Sequence, residues 1–451
     1  MDNLLQTAAT YAQEYLSGLG CRSVTPCASA IDRLSTLGGP LPDAASSPAE
    51  TLALLHEFGS PATVASAGGR YFGFVIGGCL PVALATNWLA DAWDQNAGYF
   101  VRSPVGALLE EISLGWLCDV LNLPAQCAGA FVTGGTMANF TALAAARHAV
   151  LKRAGWDVER DGLFGAPPIT VIVGTEAHPT LRKALGLLGL GRDRVLTVPV
   201  DDQGRMRAEA LPPLDRQPTI ICLQAGNANT GAFDPAGAIC PVARDAGAWV
   251  HVDGAFGLWA AAAPARNYLT HGLDEADSWA TDAHKWLNVS YDSGLAFVRD
   301  AEALRAAMSV SAPYLSQDEV REPSFFTPET SRRARGVEVW AALRSLGRAG
   351  LADLIERTCR YATQFADGLR AGGYTVLNDV ALNQVLVSFG DEEMTRRVIA
   401  ALQADGTCWC GGRNWQGHEV MRISVSSWAT TEEDVARSLA TMLRIAAQER
   451  H

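Results

Sequence analysis

The sequence predicts an α/β protein: a large, mostly parallel sheet with helices on both faces, a smaller α+β C-terminal domain and a helical N-terminal arm. Three observations predict it. From about residue 65 onward, short runs that are apolar throughout alternate with longer helical segments, as strands buried on both faces do between crossover helices. After the basic stretch Arg332-Arg333-Ala334-Arg335 the texture changes to a long helix followed by strands with a helix between them. The first 20 residues set Leu4, Leu5, Ala8, Tyr11, Ala12, Tyr15, Leu16 and Leu19 at helical spacing, an apolar face that needs something to pack on.

In chain order, the arm runs through a Gly-, Pro- and Ser-rich loop at Leu37–Pro48 and ends near residue 65. Strands are expected at Gly129–Val132, Ile169–Val173, Thr219–Gln224, Trp249–Asp253 and Leu295–Val298, each rich in β-branched or large apolar residues. Helices are expected at Ser103–Leu121, Met137–Ala154 and His178–Leu188. A long helix from about Val337 to Gly368, interrupted near Gly347–Gly350, opens the C-terminal part. There Tyr374–Leu377, Gln384–Phe389 and Met421–Val425 read as strands. The expected division is 1–65 for the arm, 66–305 for the large domain and 306–451 for the smaller one.

A chain of 451 residues with 48% hydrophobic content can bury a large core. The formal charge of -12 argues against a broad nucleic-acid or anionic-membrane surface, while leaving room for a local phosphate pocket. The N-terminal residues lack the basic and uninterrupted apolar regions of a signal peptide, and no apolar run has the length of a membrane span. A cytoplasmic protein is the expectation. Ten cysteines without repeated spacing read as reduced thiols, and Cys408-Trp409-Cys410 has no second cluster to complete a zinc site, so no metal is expected.

Chemistry concentrates in a few segments. In Asp282-Ala-His-Lys-Trp286, Lys285 can form a Schiff base with an aldehyde cofactor, and desolvation beside Trp286 and Leu287 would favour the neutral amine that attacks. Phe131-Val-Thr-Gly-Gly-Thr-Met-Ala-Asn139 sets two glycines and a threonine between a strand and an alanine-rich helix. A phosphate at Gly135 and Thr136 is reasonable there, and so is a tight turn capped by Thr136. Neither the dinucleotide nor the nucleoside-triphosphate glycine motif occurs. Asp253 ends an apolar strand, where a carboxylate needs a partner: a protonated pyridine nitrogen, a helix N-terminus or a core hydrogen bond. His178 follows another strand and can stack on a cofactor ring, contact a substrate carboxylate or serve structure alone. His284 is placed to contact a phosphate.

With these segments in view, the chain resembles the group II pyridoxal-phosphate-dependent amino-acid decarboxylases, the family of the aromatic-amino-acid, glutamate and tyrosine decarboxylases. The matching segments are Phe131–Asn139, Thr175-Glu-Ala-His178, His251-Val-Asp-Gly-Ala255, Thr281–Trp286 and Ser331-Arg-Arg-Ala-Arg335, in family order across roughly residues 65–430. The resemblance implies a fold type I enzyme that binds pyridoxal 5'-phosphate and acts as a homodimer, with the arm packing on the partner. It implies that Lys285 links covalently to the cofactor, Asp253 pairs with the pyridine nitrogen and His178 stacks on the ring. Gly135, Thr136 and His284 hold the phosphate. Tyr314, in Ser311-Ala-Pro-Tyr-Leu315, matches the loop tyrosine that returns a proton after carbon dioxide leaves, which implies α-decarboxylation of an L-amino acid to the amine. The alternatives are an aminotransferase or an aldolase-type lyase with the same cofactor, or an inactive homologue that binds it. On the substrate side, Phe72, Phe74 and Trp93 suggest an apolar pocket or ordinary core filling, and Arg422 a carboxylate ligand or a structural ion pair.

Overall fold

The computed structural model describes residues 2–309 and 320–450. Tyr314 lies outside the described residues. The chain divides into two compact units, the larger Gly77–Thr363 with Asn378–Val385, the smaller Met1–Ile76, Gln364–Leu377 and Leu386–His451.

The larger unit holds seven strands: β1 (Ala128–Val132), β2 (Thr170–Gly174), β3 (Leu196–Val198), β4 (Thr219–Gln224), β5 (Trp249–Asp253), β6 (Ser278–Asp282) and β7 (Gly294–Val298). They lie in the order β1-β7-β6-β5-β4-β2-β3. The pairs from β3 through β2, β4 and β5 to β6 are parallel, and β7 runs antiparallel to both β6 and β1. All strands but β7 therefore share one C-terminal edge. The exception has a local cause: β7 follows β6 through the short helix Ala283–Trp286 and a loop, too little chain for a crossover, so it must return antiparallel.

The five strands expected here are present. The expectation passed over β3, a short edge strand, and β6, whose Ser278 and Asp282 break the apolar run by which a buried strand is recognised. All of β6 is nevertheless buried between β5 and β7.

Helix Gly135–Arg153 starts two residues before the expected Met137, because the extended Gly134 turns the chain directly into it. Ala138, Ala142, Ala145 and Ala146 let this helix lie close on the sheet, in one core with Val132, Val173, Ala280 and Ala296. Each large side chain buried there, such as Leu143, contributes roughly 1.5–3 kcal/mol. Helix Gly336–Ala371 breaks at Gly347, where φ is 59°, at the expected interruption.

A second sheet is ordered β10-β11-β9-β8, from β8 (Thr375–Val376), β9 (Gln384–Ser388), β10 (Gly411–Trp415) and β11 (His418–Ser424). The β10–β11 hairpin turns through Gln416 and Gly417, both at positive φ as a two-residue turn of this hand requires. Helix Glu432–Gln448 is opened by a capping box between Thr431 and Asp434.

The division differs from the expected three segments. The N-terminal residues group with the C-terminal ones because their backbones are hydrogen-bonded: Val24 N–H to Gly406 O at 2.8 Å, Phe72 N–H to Trp409 O at 2.9 Å and Ser424 N–H to Phe72 O at 2.9 Å. Residues between 320 and 363 belong to the larger unit, tied by Arg321 and Arg332 on Glu110 and by Trp286 Nε1–H on Thr358 Oγ1. Among the described residues, no helix is long and apolar enough to cross a membrane.

Candidate active site

Four strand ends carry the expected chemistry on one edge of the sheet. The Gly134–Gly135 turn follows β1, His178 follows β2, Asp253 closes β5, and Asp282 closes β6 just before His284 and Lys285. Parallel strands bring segments distant in sequence to the same edge, where open α/β sheets bind ligands.

The Lys285 turn is held by buried bonds on all sides. Asp282 N–H donates to Ala255 O at 2.9 Å, and Trp259 Nε1–H donates to Asp282 O at 3.1 Å. Ala283 N–H donates to Ser293 O at 3.0 Å, and Asn288 Nδ2 donates to Trp286 O at 2.8 Å. Trp286 is fully buried and its indole N–H reaches Thr358 Oγ1 at 3.0 Å. The lysine side chain leaves this anchored turn only partly buried, with Nζ 3.0 Å from Asp282 Oδ2.

The loop after β1 is shaped as an anion cradle. Helix Gly135–Arg153 begins with no side-chain cap, so its first N–H groups are offered outward with the positive end of the helix dipole. Thr136, the cap in the tight-turn alternative, is inside the helix, and Gly134 holds the cap position. A Cβ on Gly294 would lie 2.4 Å from Gly134 Cα, so that position requires glycine, while one on Gly135 would lie 2.9 Å from Asp282 Oδ2 and would displace that carboxylate. His284 faces the same turn. Its Nδ1 accepts from Ser293 N–H at 3.1 Å, which leaves the ring proton on Nε2, and burial holds its pKa below the usual imidazole value against the opposing pull of Asp282.

Asp253 is buried, with Oδ1 accepting from Ala255 N–H at 3.3 Å and Oδ2 from Asn139 Nδ2 at 3.2 Å. His178 caps helix Pro179–Leu187, its Nδ1 accepting from Thr180 N–H at 3.3 Å. In the larger unit, Trp93 ends helix Pro81–Trp93 and is well exposed. In the smaller unit, Phe72 is fully buried with its ring edge-on to Phe365, a packing role, whereas Phe74 is half exposed and stacks on Trp409. Arg422 is buried on β11, and burial together with Arg413 lowers its pKa to about 10, so it stays a cation at neutral pH.

The pyridoxal-dependent decarboxylase conserved domain matches residues 70–390. The chain belongs to this family. The decarboxylase is 27% identical over 415 residues to tryptophan decarboxylase 1 of Oryza sativa subsp. japonica, covering 83% of this chain and 79% of that protein. It is 32% identical over 305 residues to L-2,4-diaminobutyrate decarboxylase of Rhizobium meliloti, covering 65% and 58% respectively. The crystal structure of Oryza sativa TDC with PLP and tryptamine shares the fold, with a TM-score of 0.92 at 23% identity, 99% of this chain and 97% of that one being covered. The protein is thus a pyridoxal-phosphate-dependent amino-acid decarboxylase of fold type I.

The residues present fit that cofactor. The amine of Lys285, the buried carboxylate of Asp253, the imidazole of His178 and an uncapped helix N-terminus are the groups that would hold its aldehyde, its ring nitrogen, its ring face and its phosphate. One participant was not assigned a role from the sequence. Asp282 lies between Gly135, Lys285 and His284, its Oδ1 3.5 Å from His284 Nε2. Its spacing three residues before Lys285 is the signal that could have found it.

Proposed function

We propose that this decarboxylase removes the α-carboxyl group of an L-amino acid as carbon dioxide and releases the amine. The observation that carries the reading is the meeting of Lys285, Asp253, His178 and the Gly135 turn on one sheet edge in a chain of the decarboxylase family. Membership favours this reaction over transamination or aldol-type cleavage.

Bound there, pyridoxal phosphate supplies an electron sink for the pair left on Cα when the carboxylate departs. The chain's residues do the rest. Lys285 Nζ would be the cofactor's covalent anchor. Asp253 would pair with its pyridine nitrogen and His178 would stack on its ring. The N–H groups of Gly135 and Thr136 and His284 Nε2–H would hold its phosphate. Tyr314 is proposed to return the proton to Cα. Trp93 is proposed to meet the substrate side chain.

A homodimer is part of the proposal. Trp88, Leu89, Trp93, Val101 and Leu108 are exposed apolar residues of the larger unit, and Leu5 and Leu16 of the N-terminal helix are exposed as well, as an unburied subunit interface would be. Ten free cysteines suit a reducing cytoplasm.

The test is reconstitution with pyridoxal phosphate and a screen of amino acids for carbon dioxide and amine. Lys285→Ala should abolish both the visible absorption band of the linked cofactor and turnover. A keto acid or an aldehyde as the main product, or full activity in Lys285→Ala, would overturn the reading.

A further inference from the structure

Two residues of the family motifs have no part in this reading: Asn139, at the end of the phosphate-loop segment, and His251, two residues before Asp253. Both are buried, and they belong to a line of side chains that ends on Asp253. Trp249 Nε1–H donates to Ser278 Oγ at 2.8 Å. Ser278 Oγ lies 2.9 Å from His251 Nδ1, and His251 Nε2 lies 2.8 Å from Asn139 Oδ1. Asn139 Nδ2 donates to Asp253 Oδ2 at 3.2 Å.

The direction of every bond is forced. A carboxylate oxygen only accepts, so the Asn139 amide presents its NH2 to Asp253 and its carbonyl to His251. A carbonyl has no proton to give, so His251 carries its proton on Nε2. Burial drives the imidazole down to about 3, so the ring holds a single proton at neutral pH and Nδ1 must accept. The Ser278 hydroxyl therefore donates to Nδ1 while accepting from the indole, which can only donate. Strand geometry sets this up. Trp249, His251 and Asp253 alternate onto one face of β5, and Ser278 pairs with His251 in the β5–β6 register.

We propose that Trp249, Ser278, His251 and Asn139 form a proton-ordered chain that orients the Asp253 carboxylate for the pyridine nitrogen of pyridoxal phosphate, with His251 a positioning residue acting through its Nε2–H tautomer. This rests on the reading of Asp253 given above. The order makes the amide rigid. Rotating Asn139 by half a turn would set its carbonyl against the carboxylate and its NH2 against an N–H, so both contacts would become repulsive. Asp253 then meets the cofactor with its position already set, and no reorganisation is left for the moment of binding.

Two measurements test the chain. In cofactor-free protein labelled with 15N-histidine, the signal that moves in Ser278→Ala should be an Nε2–H tautomer unchanged between about pH 5 and 9. An Nδ1–H tautomer or a doubly protonated ring would overturn the proposal. Titration with pyridoxal phosphate, followed by visible absorbance, should show affinity weakened about 10–100-fold in His251→Phe, the worth of a hydrogen bond serving a charged group. His251→Gln, which keeps an N–H for Asn139, should recover most of it. If Asp253→Ala weakens binding while His251→Phe and Ser278→Ala do not, the chain does not act on Asp253. If Asp253→Ala leaves affinity and the 15N shift of labelled cofactor unchanged, the assignment of Asp253 to the pyridine nitrogen fails instead, while the tautomer result still stands. Should His251→Phe not fold, Ser278→Ala carries the same comparison.

Discussion

Replacing Arg332 by methionine opens a buried charge cluster behind the phosphate loop. Arg332 Nη2 lies 2.6 Å from Glu110 Oε2, with both side chains 1% exposed, and Arg321 Nη1 lies 3.0 Å from Oε1. The same two arginines hold β1, the strand that feeds the loop: Arg332 Nη2 donates to Phe131 O at 3.2 Å and Arg321 Nη2 to Gly129 O at 2.6 Å. Burial alone would raise the Glu110 carboxyl, but the Arg332 and Arg321 guanidiniums override it and hold it below the usual carboxylate range. Breaking such a pair costs about 3–5 kcal/mol, because a buried charge loses its partner. Arg321 remains and is less buried than Arg332, so the lower end, about 3 kcal/mol, is expected.

The pH dependence has a definite sign. A depressed carboxyl contributes stability above its unfolded pKa, and that contribution is lost as pH falls through the folded value. The parent's contribution is therefore intact from pH 8 down to pH 5. With Arg332 gone, Arg321 alone opposes the burial that raises the Glu110 carboxyl, so the deficit should be largest near pH 8 and shrink toward pH 5 as the variant's Glu110 takes up a proton. The assay is urea unfolding of cofactor-free protein at fixed concentration, followed by circular dichroism at both pH values. Glu110→Gln combined with Arg332→Met should recover at least half of the loss, since a neutral amide still accepts from Arg321. A deficit below about 1 kcal/mol, well short of the range for a broken buried pair, or one equal at both pH values, would refute the reasoning; so would a double variant no more stable than the single one.

Gly294→Ala should cost about 1–3 kcal/mol and weaken cofactor binding together, since the new methyl must displace the Gly134 backbone; thermal unfolding and absorbance titration read the two effects. Burial pushes the Glu338 carboxyl up to about 7, against the pull of Arg333 and Arg335, so its contribution to stability is present at low pH and lost as pH rises through that value. Glu338→Gln should accordingly show a thermal midpoint that falls less than the parent's between pH 5 and 8. Trp88→Asp, on the exposed face of helix Pro81–Trp93, should weaken self-association at least tenfold by sedimentation, with the cofactor spectrum of the remaining dimer unchanged.

Much of the chemistry is legible along the chain because it is carried by local words. The candidate Schiff-base lysine, Lys285, sits in Asp282-Ala-His-Lys-Trp286, and the candidate phosphate turn sits in Thr133-Gly-Gly-Thr136. Each reports its role through residues a few positions apart. The five expected strands were legible for the same reason, since an apolar run advertises a buried strand whatever its neighbours. Polar residues do not advertise in this way. Ser278 and Asp282 hid β6, because a buried polar strand is tolerable only once its partners are known, and those partners come from elsewhere in the sequence.

The amino-acid sequence by itself determined the α/β class, the order of the motifs and the candidate lysine, carboxylate and phosphate turn. Only the tertiary structure decided that β7 runs against its neighbours and that residues near 24 and 72 join those near 406–424. It alone placed the Asp282 carboxylate 3.0 Å from Lys285, and it alone linked Trp249, Ser278, His251 and Asn139 to Asp253. The physical reason is that periodicity and turn chemistry are properties of a stretch of chain, whereas a strand's neighbours, a hydrogen bond's direction and a charge's partner are set by how the chain folds back on itself, whether the groups are as near as Asp282 and Lys285 or as far apart as Asn139 and Asp253.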